Sequence, residues 1–165
     1  MDVDIVVMVQ GDEPLVTPEM VNLSVKPFFE DEDIVCTNLT GKIHSMEEFR
    51  DRNTIKVAMD REGFALYFSR EPIPTTFIKG ESWELPIYKQ ICIIPFRRDA
   101  LLDFIRLEPT PLEIAESIDM LRFLEHGIRV KMVETESETH AVDTPADLQL
   151  VEKMMEKDPL FPKYV

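Results

Sequence analysis

Ile5-Val6-Val7-Met8-Val9 runs straight into Gln10-Gly11-Asp12-Glu13-Pro14. Five apolar residues, mostly β-branched and without alternation, predict a strand covered on both faces, as in a parallel α/β sheet. The polar turn that follows sits at the strand's carboxyl end, where open α/β sheets bind their ligands. Gly11 lets backbone approach a ligand closely. Asp12 is then a carboxylate placed to hold Mg²⁺, a hard ion that takes one or two carboxylates plus phosphate oxygens. The alternative is an ordinary Gly-Asp turn with an exposed acid.

Outward from that strand, elements alternate. Thr17-Pro18 marks a helix start, with Thr17 as cap and Pro18 in the first turn, and the helix is expected to end before Pro27. A second strand is expected over 34–39 and a short helix over 45–51. Residues 55–59 and 65–69 flank Asp60-Arg61-Glu62-Gly63 and predict a hairpin. Residues 71–86 are Pro-rich and predict an extended surface loop. One apolar strand is expected over 87–96 and a helix over 99–105. A single helix over 113–126 is stopped by Gly127, and a strand follows over 128–133. Thr144-Pro145-Ala146-Asp147 opens the last helix, whose apolar face is Leu148, Val151 and Met154 or Met155. The tail from Asp158 is expected to lie on the surface. The pattern is one α/β domain, 1–165, layered around a mixed sheet.

The chain has 165 residues, 44% of them hydrophobic, and its 32 acidic against 18 basic residues give a net charge of −14. That is enough chain for a genuine core. Such acidity argues against nucleic-acid binding, which rests on Lys/Arg contacts to phosphates. It leaves room for a small anionic substrate at a locally basic site. No apolar run approaches a membrane span, and the N-terminus lacks the basic region of a signal peptide. Cys36 and Cys92 lie far apart in apolar runs and predict two reduced, packed thiols in a cytoplasmic protein. A disulfide between them is the alternative.

Asp143 is the second candidate carboxylate. If Thr144 caps the last helix, the Asp143 side chain is free; otherwise Asp143 is itself the cap. Arg70, after an apolar strand and before Pro72, could grip a carboxylate at two points. Lys56, Lys79, Lys89 and Arg97 are further cations for an anionic substrate. Asp31-Glu32-Asp33 has the Asp-x-Asp spacing of metal-dependent glycosyltransferases, but it stands in an acidic run that predicts a solvated loop. His44, His126 and His140 show no metal-ligand spacing.

Five collinear segments carry a resemblance: VVMVQGDEPLV, NTIKVAMDREGFALYFSREPIP, YKQICIIPFR, PTPLEIAESIDMLRFLEHG and HAVDTPADLQLVEKM. Together they resemble the 3-deoxy-manno-octulosonate cytidylyltransferases, the CMP-Kdo synthetases, over residues 5–155. The resemblance implies a layered Rossmann-like nucleotidyltransferase fold. It implies attack of a sugar acid's anomeric hydroxyl on the α-phosphorus of CTP, with release of pyrophosphate, in lipopolysaccharide precursor synthesis. It also implies Mg²⁺ dependence, a cytoplasmic location and a homodimer. By position, Asp12 and Asp143 match metal-binding aspartates, Gln10 and Arg70 match sugar-acid contacts, and Asp119 matches a sugar-contacting Glu. The family has His at Gln90, Gly at Cys92, Tyr at Ile94 and Gln at Met120. Those departures imply fewer polar groups on the sugar side and a Kdo-like ulosonic acid rather than Kdo itself. The family's opening strand and Gly/Arg loop for CTP have no counterpart here. The expectation is therefore the C-terminal larger part of a cytidylyltransferase domain, N-terminally incomplete. A non-catalytic sugar-acid-binding or dimerisation module is the other reading.

Overall fold

The computed structural model describes residues 3–75, 87–137 and 139–163. Strand β1 (Ile5–Val9) pairs antiparallel with β6 (Ile93–Arg97), Ile5 opposite Arg97 and Val9 opposite Ile93. The second sheet has the order β4-β3-β5-β2-β7, built from β2 (Thr37–Lys42), β3 (Lys56–Met59), β4 (Ala65–Ser69), β5 (Tyr88–Ile91) and β7 (Lys131–Glu134). Only β2 and β7 run parallel within it; the other pairs are antiparallel. The mixed sheet expected from sequence is present. The parallel pairing expected for β1 is not, since its partner is the antiparallel β6. Both faces of β1 are nonetheless used: Met8 packs on one core cluster and Val7 on another.

The apolar run 87–96 is two strands rather than one. Cys92 bends the chain between β5 and β6, because its N–H and carbonyl leave the ladder. The N–H donates to Glu13 Oε1 at 3.1 Å, and the carbonyl accepts from Gln10 N at 3.1 Å. One run thus serves both sheets. The strand expected over 34–39 begins later, at Thr37. Residues 34–36 are taken by the junction with β6, where Arg97 N donates to Val35 O and Cys36 bridges Phe96. The strand expected over 128–133 also begins later, since Ile128 N closes onto Phe123 O and Val130 O receives Ala65 N.

Helix α1 (Pro18–Val25) is capped by Thr17 and followed by the short α2 (Pro27–Glu30). Ser45 caps α3 (Met46–Arg50), and α4 (Arg98–Arg106) follows β6 directly. The single helix expected over 113–126 is split into α5 (Pro111–Glu116) and α6 (Met120–Glu125). Ser117, with φ 55°, makes the break. Gly127, at φ 74°, stops α6 as expected. Helix α7 (Pro145–Met155) carries the Thr144–Asp147 capping box. Of its expected apolar face only Val151 is buried; Leu148 is 49% exposed. The tail closes in a 3-10 turn, Phe161–Lys163, and Leu160 lines a groove with Leu15 and Met154.

The main core joins β1, β4 and β6 to α4 and α6 through Phe68, Phe96, Leu121 and Phe123. A second cluster, Met20, Leu39, Ile91 and Ile93, packs α1 onto β2, β5 and β6. Fully burying a side chain of that size contributes about 1.5–3 kcal/mol. Residues 71–75 are irregular; the rest of the expected 71–86 loop lies outside the described residues.

Candidate active site

The turn after β1 is built by its own backbone: Glu13 N donates to Gln10 O at 3.2 Å. It turns Gln10 outward, leaves Asp12 half-buried and buries Glu13. Asp12 Oδ1 is buried and has no hydrogen-bond partner among the described residues. A buried carboxylate oxygen left unpaired costs free energy unless a ligand satisfies it. The Asp12 carbonyl accepts from Val142 N at 2.9 Å, which brings the 139–143 loop alongside.

That loop delivers Asp143. Thr144 caps α7, its hydroxyl accepting from Asp147 N, so the Asp143 carboxylate is free of capping duty. Partial burial and then the negative charge of Asp12 push the Asp143 carboxyl above the usual range; Arg70 opposes this. Asp12, Asp143, Asp51 and Arg70 therefore share one neighbourhood. Asp147 is the contrasting acid. It takes His140 Nε2 at 2.9 Å and Thr144 N at 2.7 Å, and these partners hold its pKa down at about 2.

Glu13 and Cys92 support the turn. Glu13 bonds Cys92 N, and Thr139 Oγ1 donates to its Oε2 at 3.3 Å. Burial pushes its pKa up. Burial, then the charges of Glu13, Asp12, Asp143 and Asp119, pushes the Cys92 thiol up to about 12. Asp119 is thereby within electrostatic reach of the same cluster. It is exposed, and its side chain makes no capping bond to α6. Gln90 donates through Nε2 to Asn38 Oδ1 at 2.6 Å, and Asn38 is fixed by the carbonyls of Leu39 and Ile91.

Arg70 ends β4. Its Nε donates to Glu116 O at 2.7 Å, Nη1 to Arg52 O at 3.0 Å and Nη2 to Ser117 O at 3.2 Å. All three acceptors are neutral carbonyls, so the positive charge is held in place without being cancelled. Among the described residues the other candidate cations are occupied. Lys56 is fully buried, its Nζ donating to the carbonyls of Asp51, Thr54 and Arg70. Lys89 pairs with Glu48 at 2.6 Å, Arg97 binds the carbonyls of Ile34 and Phe28, and Lys79 lies outside the described residues. Asp31 and Asp33 form an exposed turn closed by Asp33 N on Asp31 Oδ1, the solvated loop expected of them.

Sequence reasoning passed over Glu13 and Glu116. Their partners lie 46 to 126 residues away in the chain, beyond any local pattern. It also assigned Ile94 and Met120 to the sugar side. Both are in the main core, 2% and 1% exposed, so those departures from the family alter packing. Gln90, Cys92 and Asp119 are the departures near the acidic cluster. Both cysteines are free thiols, as expected. Among the described residues no group of three or more His, Cys, Asp or Glu side chains could hold a metal. Asp12 and Asp143 could offer two carboxylates to a hard ion that completes its shell from phosphates and water. No helix among the described residues is long and apolar enough to cross a membrane.

Comparison with known proteins gives the family and the fold. A family model described as cytidylyltransferase matches residues 1–137. The 3-deoxy-manno-octulosonate cytidylyltransferase of Geobacter metallireducens is 45% identical over 162 residues, covering 93% of this chain and 64% of that protein. The enzyme of that name from Geotalea uraniireducens is 42% identical over 165 residues, covering 95% of this chain and 66% of that protein. The chain thus spans just under two thirds of these relatives. A solved CMP:2-keto-3-deoxy-manno-octonic acid synthetase, complexed with CTP, superposes with a TM-score of 0.85 at 32% identity, over 95% of this chain and 64% of that one. A glucose-1-phosphate thymidylyltransferase from Bacillus anthracis, at TM-score 0.57 and 15% identity, shares the fold alone. The fold is the layered Rossmann-like nucleotidyltransferase fold with a mixed sheet, and the chain belongs to the cytidylyltransferase family.

Proposed function

We propose that this chain carries the metal and sugar-acid side of a transferase that moves CMP from CTP to a Kdo-like ulosonic acid. The observation that carries the reading is the Asp12–Asp143 pair, with Asp12 Oδ1 buried and unpartnered. Mg²⁺ held by these two carboxylates would offset phosphate charge as it develops. In the reaction the anomeric hydroxyl attacks the α-phosphorus, its proton passes to water, and the bond to pyrophosphate breaks, so that pyrophosphate leaves. Arg70, charged and fixed by carbonyls, is set to bind the sugar acid's carboxylate. Gln10, exposed at the end of β1, and Gln90, steadied by Asn38, offer amides to sugar oxygens. Asp119 offers an acceptor to a hydroxyl.

The product would feed cell-surface polysaccharide or lipopolysaccharide precursor synthesis, and a step that consumes CTP would fit the cytoplasm. The exposed apolar residues Leu66, Ile105 and Ile114, each at least 62% exposed, support a homodimer that covers them.

A pyrophosphate-release assay with CTP, Mg²⁺ and a panel of ulosonic acids tests the proposal, alongside calorimetry with each substrate. Turnover with at least one acid is expected. Asp12→Asn is expected to abolish it while the melting temperature holds. No turnover together with retained acid binding would replace this reading with the non-catalytic sugar-acid-binding module. Near-normal turnover of Asp12→Asn would remove that residue from the mechanism.

A further inference from the structure

We propose that Glu116 is the positioning residue that aims Arg70 at the carboxylate of the sugar acid. The inference rests on the reading just given, in which Arg70 binds that carboxylate. An arginine side chain carries about 2 kcal/mol of rotamer entropy, so an unsupported one at a strand end grips poorly. Here one carboxylate organises the end of β4. Glu116 Oε2 accepts Arg70 N at 2.8 Å, and Oε1 accepts Ser69 Oγ at 3.0 Å and Tyr67 Oη at 3.2 Å. Three donors from alternate and adjacent positions of one strand converge on it.

The same short segment then holds the guanidinium. Ser117 takes the left-handed conformation, φ 55°, which costs a non-glycine residue about 1–2 kcal/mol. That break leaves the carbonyls of Glu116 and Ser117 outside any helical ladder, and they receive Arg70 Nε and Nη2. Strain kept at such a point indicates a use for it. Glu116 fixes the main chain of Arg70 by its carboxylate and the side chain by its carbonyl.

Because the carboxylate meets the backbone N–H and not the guanidinium, it leaves the guanidinium's own N–H groups unspent. Of the five guanidinium N–H groups, three are committed to carbonyls, leaving one on each Nη nitrogen for a two-point grip on a carboxylate. An ion pair from Glu116 to the guanidinium would have consumed both. Glu116 therefore acts through Arg70 and does not touch the substrate.

Glu116→Gln keeps the shape but removes the charge and replaces one of the two acceptor oxygens that gather Arg70 N and the Ser69 and Tyr67 hydroxyls. In the pyrophosphate assay it is expected to raise KM for the sugar acid about tenfold, the equivalent of one charge-assisted hydrogen bond. KM for CTP and kcat should stay within about twofold, a split that loss of stability alone would not produce. Arg70→Lys should raise the same KM, and the double variant should be no worse than Arg70→Lys, since both changes act at one contact. If Glu116→Gln fails to fold, Tyr67→Phe, which deletes one donor to the same carboxylate, should still raise that KM about two- to threefold. An unchanged KM for the acid, a parallel rise in KM for CTP, or additivity with Arg70→Lys would overturn the inference while leaving the function standing. A wild-type chain that neither turns over nor binds any acid would overturn both.

Discussion

Lys56 carries a full charge into a place water does not reach, and three backbone carbonyls receive it. Burial pushes its pKa down to about 8, so it is still an ammonium at neutral pH with one donor per acceptor. Lys56→Met should strand those carbonyls and destabilise the fold by about 3 kcal/mol, read by urea unfolding. Asp147 supplies the pH dependence. Its folded pKa of about 2 lies below the ordinary value of 3.8, chiefly through His140. The stability it contributes is therefore complete above the ordinary value and is lost as pH falls through about 2. His140→Ala should be less stable than wild type at pH 5, and the gap should close as acid titrates Asp147; a constant gap would show that the pair is not the cause. The freedom of Asp143 was left open by the sequence, which allowed either Asp143 or Thr144 as the cap, and the Thr144–Asp147 capping box decides it. Glu13 and Glu116 were not legible there, because each acts on a residue that only folding brings near.

At the scale of elements, the apolar runs were legible and their interruptions were not. β1, the β3–β4 hairpin, α3 and α7 follow periodicity and caps that local sequence dictates. The bend at Cys92 and the break at Ser117 have neither glycine nor proline to mark them, because tertiary hydrogen bonds stabilise them. The hairpin tip does carry its signal. Gly63 sits at φ 78°, its carbonyl accepting from Met132 N, and Ala65 N beside it donates to Val130 O. An added Cβ would meet Lys131 Nζ, the far end of a long side chain, at 3.3 Å, so backbone strain decides the effect. Gly63→Ala should cost about 1–2 kcal/mol, measured by chemical denaturation, and should leave ligand binding alone.

Over the whole molecule, two sheets share one bent run, and Cys36 lies where they meet, fully buried and bridged to Phe96. Burial raises its thiol pKa, and that of Cys92 rises to about 12. At pH 8 Cys36 should be labelled by a thiol reagent only as fast as the whole fold opens, in step with the urea transition. Labelling well before that transition would show that the junction opens on its own. The sharing of one strand run between sheets was the part of the architecture that composition and period could not reveal. It sets the turn after β1 against the 139–143 loop, and there the hydrogen bond from Val142 N to the Asp12 carbonyl holds two loops together whose carboxylates repel. That bond works as a clasp under load. Any cation that enters between the carboxylates relieves the load, so the clasp tightens as the ion binds and the ion binds less well if the clasp is loosened. If Mg²⁺ binds there as proposed, the melting temperature is expected to rise with free Mg²⁺ in the absence of nucleotide and sugar, and an unchanged melting temperature would count against that ion.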